Sequence, residues 1–309
     1  MLIAIIISSV LLFLIIFFWI ALYLFYRFVY YSPRKDQIND FGLLDSKNYA
    51  GYKDQVKQLI VKLMDRPYED LYIQSFDGLK LHARLFENKQ SKKVAILCHG
   101  YRGTAYRDFC GGGNEIIEMG YNTIIIDQRA HGSSEGHSIT FGIRETKDLL
   151  KWIDYAKERF GNDIELLLVG VSMGGHVVLS AADKVDPQVK IIADCPFSSP
   201  KAIIVSAIKS VNLPVWLFYP ILNLAAKIFC HENMNKTSAF ESIKNSQNKI
   251  LIIHGDKDSV VPFTDSLSLY DAYPDKIQYE LFPDADHGMS YVCDTERYKK
   301  IINDFLVLL

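Results

Sequence analysis

The stretch Glu165-Leu166-Leu167-Leu168-Val169-Gly170-Val171-Ser172-Met173-Gly174-Gly175 decides how the rest of this chain is read. ELLLV has the length and apolar character of a buried strand, and residues 173–183 have the length of a helix. Between them stands G-x-S-x-G. A serine on so tight a strand-to-helix turn has strained backbone angles and close neighbours, so Gly170 and Gly174 stand where any side chain would clash. The turn delivers the Ser172 hydroxyl to a helix N-terminus, where amide N–H groups and the helix dipole favour developing negative charge. Ser172 is therefore a candidate nucleophile. The bland alternative is a glycine-rich turn with an incidental serine.

The same rhythm recurs on either side of this turn. Apolar runs stand at VAILC (94–98), TIIID (123–127), VKIIAD (189–194), KILIIHG (249–255) and KIQYELF (276–282), separated by amphipathic stretches such as residues 143–160. Runs apolar on both faces suit parallel strands covered by helices on each side, so the pattern predicts a doubly wound α/β domain with a mostly parallel sheet. Upstream, LYIQS and LKLHARLF flank Phe76-Asp77-Gly78 and predict a hairpin turning on Asp-Gly. Before that, Val56, Leu59, Ile60, Leu63 and Met64 mark one face of a helix closed by Arg66-Pro67. One interval breaks the rhythm. Residues 198–248 hold no such strand and include AIIVSAIKSVNLPVWLFYPILNLAAKIF, which predicts a helical cap over the C-terminal edge of the sheet. Trp216 and Phe218 in that cap are candidates for the substrate-binding wall. Cys110-Gly111-Gly112-Gly113 falls where the first crossover helix belongs, and three glycines in a helix are costly. A helix start, a close packing point and a pocket wall all remain open for it.

The 309 residues carry 34 Lys+Arg against 36 Asp+Glu, with 49% hydrophobic and 23% charged residues. That excludes a disordered chain, and the near-neutral balance excludes a dedicated nucleic-acid binder, which needs a basic face to neutralise phosphates. The five cysteines are odd in number, scattered and without zinc-type spacing, which predicts free thiols and no metal site. Residues 2–26 contain no charged side chain. As a helix they would extend about 37 Å, more than a hydrocarbon core of about 30 Å. Trp19, Tyr23, Tyr26, Tyr30 and Tyr31 thicken toward one end, as an interfacial belt would. A cleaved leader would need a positive n-region, a shorter apolar stretch and a small-x-small cleavage site, and none is present. The chain is thus expected to divide into a single-pass transmembrane anchor (1–31), a juxtamembrane connector with an amphipathic helix (32–67) and one α/β domain (68–309), with the lipid bilayer as partner through residues 2–26.

Five motifs in order carry a resemblance. They are Ser75-Phe76-Asp77-Gly78; His99-Gly100-Tyr101-Arg102-Gly103; Asp127-Gln128-Arg129-Ala130-His131-Gly132-Ser133; the turn at Ser172; and the pair formed by His254-Gly255-Asp256-Lys257-Asp258-Ser259-Val260-Val261-Pro262 with Asp286-His287-Gly288. From about Tyr68 onward the chain resembles the α/β-hydrolase superfamily, and more narrowly its bacterial membrane-anchored and serine-aminopeptidase-like members. A serine hydroxyl needs a base, and the base an orienting acid. The resemblance supplies both: His287 as base and Asp258, the residue before Ser-Val-Val-Pro, as acid in preference to nearby Asp256. It also implies an oxyanion hole built from the backbone N–H groups of Tyr101 and Met173, and it leaves His99 and His131 to loop structure. No metal and no organic cofactor are implied.

The reading that follows is a membrane-anchored serine hydrolase cleaving carboxylic esters of lipophilic acids through an acyl-enzyme, the aromatic cap and the anchor keeping the site near lipid. A serine peptidase acting on short peptides is the enzymatic alternative, for which Glu232 and Glu241 in the cap could meet a free amino terminus. From another class, a non-catalytic membrane scaffold would have lost the serine, base or acid. Arg27, Arg34, Lys35 and Lys47 follow the span and no Lys or Arg precedes it, so the positive-inside rule predicts a cytoplasmic catalytic domain at the cell membrane.

Overall fold

Where the apolar runs stood, strands form. The structure, a computed structural model, describes residues 1–33 and 50–307. In chain order come α1 (Leu2–Val29), α2 (Lys53–Met64), β1 (Glu69–Gln74), β2 (Lys80–Phe86), β3 (Lys93–Cys98), α3 (Ala105–Phe109), α4 (Gly112–Glu118), β4 (Asn122–Asp127), α5 (Ile143–Phe160), β5 (Glu165–Val171), α6 (Met173–Ser180) and β6 (Lys190–Asp194). There follow α7 (Pro200–Ser210), α8 (Val215–Ala225), α9 (Ala239–Asn245), β7 (Ile250–Gly255), α10 (Phe263–Ala272), β8 (Ile277–Phe282), α11 (Ser290–Cys293) and α12 (Thr295–Val307). The connector expected after the span lies largely outside the described residues.

The strands make one sheet in the order β1-β2-β4-β3-β5-β6-β7-β8. β1 pairs antiparallel with β2 and β2 with β4, while every pair from β4 to β8 is parallel. β4 and β7 are buried along their whole length, as runs without polar alternation require. One core layer joins the sheet to Trp152 and Ile153 of α5 and Val177 of α6; the other joins it to Phe109, Ile116, Ile302 and Phe305. Each aliphatic side chain so buried contributes about 1.5–3 kcal/mol. The hairpin turn is tied to the sheet: Asp77 and Asp148 both accept from the buried Arg129 guanidinium, at 3.0 and 2.6 Å.

Two expectations need correcting. Of the expected aromatic belt, Trp19 and Tyr23 are exposed, but Tyr26 and Tyr30 are not. Leu22, Tyr26 and Tyr30 are buried in a core shared with Phe141, Phe197, Leu222 and Met173, and Tyr30 is 0% exposed. Its hydroxyl donates to the carbonyl of Leu222 at 3.1 Å. Residues 2–20, by contrast, are exposed throughout. The cap is also smaller than residues 198–248. α7 and α8 form it, but α9 packs on the flank of the sheet, where Ser242 Oγ donates to the Ser180 carbonyl of α6 at 3.2 Å.

Candidate active site

β5 ends at the tight turn the glycines anticipated. Ser172 has φ +55° and ψ −114°, a conformation L-residues avoid, at the start of α6. A Cβ on Gly170 would lie 2.1 Å from the Gly174 carbonyl oxygen, and one on Gly174 would lie 1.7 Å from that of Cys98. Both positions therefore exclude any side chain. The loops after β7 and β8, at the same edge of the sheet, bring Asp258 and His287 to the serine. His287 Nε2 lies 2.9 Å from Ser172 Oγ, and its Nδ1 lies 2.7 Å from Asp258 Oδ2. With a carboxylate at Nδ1 that nitrogen holds the proton, which leaves Nε2 to accept from the serine hydroxyl. Such a chain can take a proton from Ser172 as its oxygen attacks and return it to a leaving group.

The electrostatics suit that task. Burial raises the cost of an Asp258 carboxylate, but hydrogen bonds from His254 and His287 outweigh it and hold the group well below the usual carboxylate range. Burial likewise disfavours an imidazolium at His287, yet the hydrogen bond and charge of Asp258 raise its affinity for a proton overall. Asp258 Oδ1 accepts from the amides of Val260 and Val261 at 2.9 and 2.7 Å, so neither carboxylate oxygen is idle.

Two supporting residues were not legible beforehand. His254 Nε2 faces both Asp258 Oδ2 (3.1 Å) and the Val261 carbonyl (3.0 Å); two acceptors there mean this nitrogen carries the proton. Asp286 Oδ1 accepts from the amide and hydroxyl of Ser259 and from the amide of His287, at 2.8, 2.9 and 2.8 Å. It thereby fastens the acid loop to the base loop. Asp256 does not reach the imidazole; its Oδ1 accepts from the amide of Asp284 at 2.7 Å.

The loop after β3 faces the serine from the other side. Its amides at Gly100, Arg102 and Gly103 donate to Asp108, to His131 Nε2 and to the Gly100 carbonyl, at 2.7, 3.0 and 3.0 Å. The Tyr101 N–H is not among these bonds. The Met173 N–H opens α6, where the first turn leaves amides without helical partners. His99 and His131, packed edge to face at 4.7 Å, pin the loop as neutral rings; burial lowers the first and pushes the second down to about 3. On its far side the loop caps the end of α1. Tyr101 Oη donates to the Val29 carbonyl at 2.7 Å, and the Arg102 guanidinium donates to those of Phe28 and Tyr31 at 2.8 and 3.1 Å.

A cavity of about 370 Å³ opens beside Ser172 and His287, walled by Val56, Phe109, Ile116, Val171, Tyr291 and Val292. Gly111 and Gly112 line it as well. A Cβ on Gly111 would lie 2.4 Å from the Tyr291 ring and one on Gly112 3.1 Å from the Tyr298 hydroxyl, so the glycines admit both aromatics and serve as a close packing point. The cap takes no part in this wall. Trp216 is 78% exposed and Phe218 packs edge-on against Phe25, so neither expected residue lines the cavity. Glu232 instead pairs with Arg144 at 3.1 Å, and neither it nor Glu241 lines the cavity. The five cysteines are free thiols. Among the described residues, the ligand atoms of Cys195, Asp258 and His287 gather within 4.8 Å, a possible metal cluster by spacing. Both His287 nitrogens already have partners, however, and burial holds Cys195 as a thiol, whereas metals bind thiolates.

The chain is similar to known proteins over most of its length. Residues 89–231 match the family described as serine aminopeptidase, S33, a segment that includes the Ser172 turn and stops short of Asp258 and His287. A Bacillus subtilis protein, YqkD, is 26% identical over 214 residues, covering 68% of this chain and 70% of its own. The lysophosphatidylserine lipase ABHD12 of Danio rerio is 24% identical over 237 residues, covering 71% of this chain and 59% of that longer protein. An esterase of Pyrococcus furiosus, Pf2001, shares the fold with a TM-score of 0.64 at 24% identity, over 79% of this chain and 92% of that one. The chain is an α/β-hydrolase in fold. It is a serine hydrolase.

Proposed function

We propose that the protein hydrolyses carboxylic esters of lipophilic acids through Ser172, His287 and Asp258. The observation that carries this reading is the hydrogen-bonded chain Ser172–His287–Asp258 opening into an apolar cavity of about 370 Å³, within the usual range of about 300–1,000 Å³ for small-molecule sites. Ser172 Oγ attacks the acyl carbon while His287 Nε2 takes its proton. The oxyanion forms against the amides of Tyr101 and Met173, His287 protonates the departing alcohol, and water repeats the sequence to release the acid. Asp258 orients the imidazole and stabilises its charged form. The lipase and esterase activities named for ABHD12 and Pf2001 point the same way.

We further propose that residues 2–20 hold the enzyme in a bilayer. Nineteen exposed helical residues extend about 28 Å, close to one hydrocarbon core. Arg27 lies just past them, and Arg34, Lys35 and Lys47 lie outside the described residues; this one-sided charge favours a cytoplasmic hydrolase domain over residues 68–309.

The test is turnover of p-nitrophenyl esters of graded chain length beside aminoacyl-anilides. Activity rising with acyl length and absent on anilides is expected; the reverse preference would make the enzyme a peptidase. Val292→Trp, which fills the cavity, should cut long-chain turnover at least tenfold more than acetyl turnover, at about 0.8 kcal/mol per CH₂ denied burial. Trp216→Ala should leave the chain-length profile unchanged.

A further inference from the structure

The cap keeps an apolar stripe that no part of the described chain covers. Val211, Leu213, Trp216, Leu217 and Leu224 are all exposed, Val211 at 61% and Trp216 at 78%. Within α8, Leu217 and Leu224 fall on one side, opposite Leu222 and Ala225, which are buried against the core. Residues 210–226 contain no charged side chain, and the exposed Lys209 and Lys227 stand at either edge. A patch of this kind on a water-soluble face would be an aggregation liability.

Its attitude to α1 says what covers it. Phe218 of α8 meets Phe25, with ring centroids 6.1 Å apart. Eleven residues later, Phe229 meets Tyr23 and Tyr26 at 5.7 and 5.0 Å. The two ends of this helical segment thus reach the same level of α1, which it crosses rather than follows. That level lies just past residue 20, where the exposed stretch of α1 ends. A short helix crossing a membrane span at its boundary, apolar on its outer face and flanked by lysines, has the form of an interfacial helix lying in the plane of the lipid surface.

We infer that the outer stripe of the cap, from Val211 to Leu224, is seated in the lipid leaflet that α1 leaves, so the hydrolase rests on the bilayer by two contacts. This rests on the reading of residues 2–20 as the span. The seat brings the domain down onto the surface where lipophilic esters reside and adds a second contact to that made by α1.

The chain's three tryptophans separate the two readings, because Trp19 belongs to the span, Trp216 to the stripe and Trp152 to the domain core at 0% exposure. The full chain is reconstituted in phosphatidylcholine–phosphatidylglycerol vesicles with or without bromine on the acyl chains, as Trp19→Phe and, separately, as Trp216→Phe. Brominated lipid should quench emission in both variants, and the Trp19→Phe protein should lose the Trp216 share of its signal while that tryptophan stays closed to aqueous iodide. Quenching of Trp216→Phe alone, with Trp216 in the other variant open to iodide, would overturn the cap contact and leave the span standing. Quenching in neither would overturn both. A Trp216 closed to iodide yet unquenched by brominated lipid would mean that another protein surface, such as a second copy, covers the stripe, which also overturns the proposal.

Discussion

Residues 2–20 and 21–29 form one continuous helix of nearly uniform apolar composition, yet the first stretch is exposed throughout and one face of the second is buried in the core of the α/β domain. The difference lies in periodicity and polar handles. Leu22, Phe25, Tyr26, Val29 and Tyr30 recur at i, i+3, i+4, i+7 and i+8, one face of a helix, and both Tyr26 and Tyr30 find hydrogen-bond partners, in Ser138 and Leu222. Composition reports how much apolar surface a segment carries. Only the spacing reports whether that surface has a protein partner.

The largest effects should separate chemistry from seating. His287→Ala should lower kcat by about 10⁶ and Asp258→Asn by about 10⁴, the scale on which members of such a relay act. Vesicle flotation should not change, since neither residue touches α1; its loss would mean that the site and the seat are one unit. The pH profile adds a sign. His287 must be neutral to act, and Asp258 raises its proton affinity, so kcat/KM should fall as pH drops through a value above the ordinary 6.5. In Asp258→Asn the strongest opposition to burial is gone, and that falling limb should move to lower pH. An unmoved limb would assign it to another group.

An intermediate effect tests the two stretches of α1 directly. Tyr30→Ala removes a fully buried aromatic and should cost about 3 kcal/mol in denaturant titrations in detergent, whereas Phe17→Ala should stay within about 0.5 kcal/mol. Equal costs would erase the distinction. The smallest effect probes the junction of helix and site. Tyr101→Phe keeps the backbone amide but frees the Val29 carbonyl, and it should lower kcat about fivefold with KM unchanged, for a hydrogen bond contributing about 1 kcal/mol. A change confined to KM would show that the tyrosine reads substrate instead of holding its loop.

Much of this was legible in the residues. The turn at Ser172 could be read because its glycines answer to local sterics, and the strands because sheets covered on both faces leave no polar alternation. The acid was less legible: Asp256 and Asp258 stand two apart, and only the family's Asp-Ser-Val-Val-Pro pattern favoured the second. His254 and Asp286 could not be read, since their bonds to Asp258, Ser259 and His287 arise only once the β7 and β8 loops are adjacent. The cap misled for the same reason that α1 did. Trp216 and Phe218 are as apolar as a pocket wall would be, but their direction was not encoded in the count, and the wall came from Phe109, Val292 and the glycines at 111 and 112.

Covalent capture shows whether Ser172 is the nucleophile of an enzyme working on lipophilic acyl groups. Full-length protein in phosphatidylcholine–phosphatidylglycerol vesicles is treated with a long-chain alkyl fluorophosphonate and digested, and the modified peptide is mapped by mass. One adduct on Ser172 is predicted, absent in Ser172→Ala and His287→Ala and slower to form with a methyl fluorophosphonate. An unlabelled wild-type protein, or an adduct that survives in Ser172→Ala, would contradict the account.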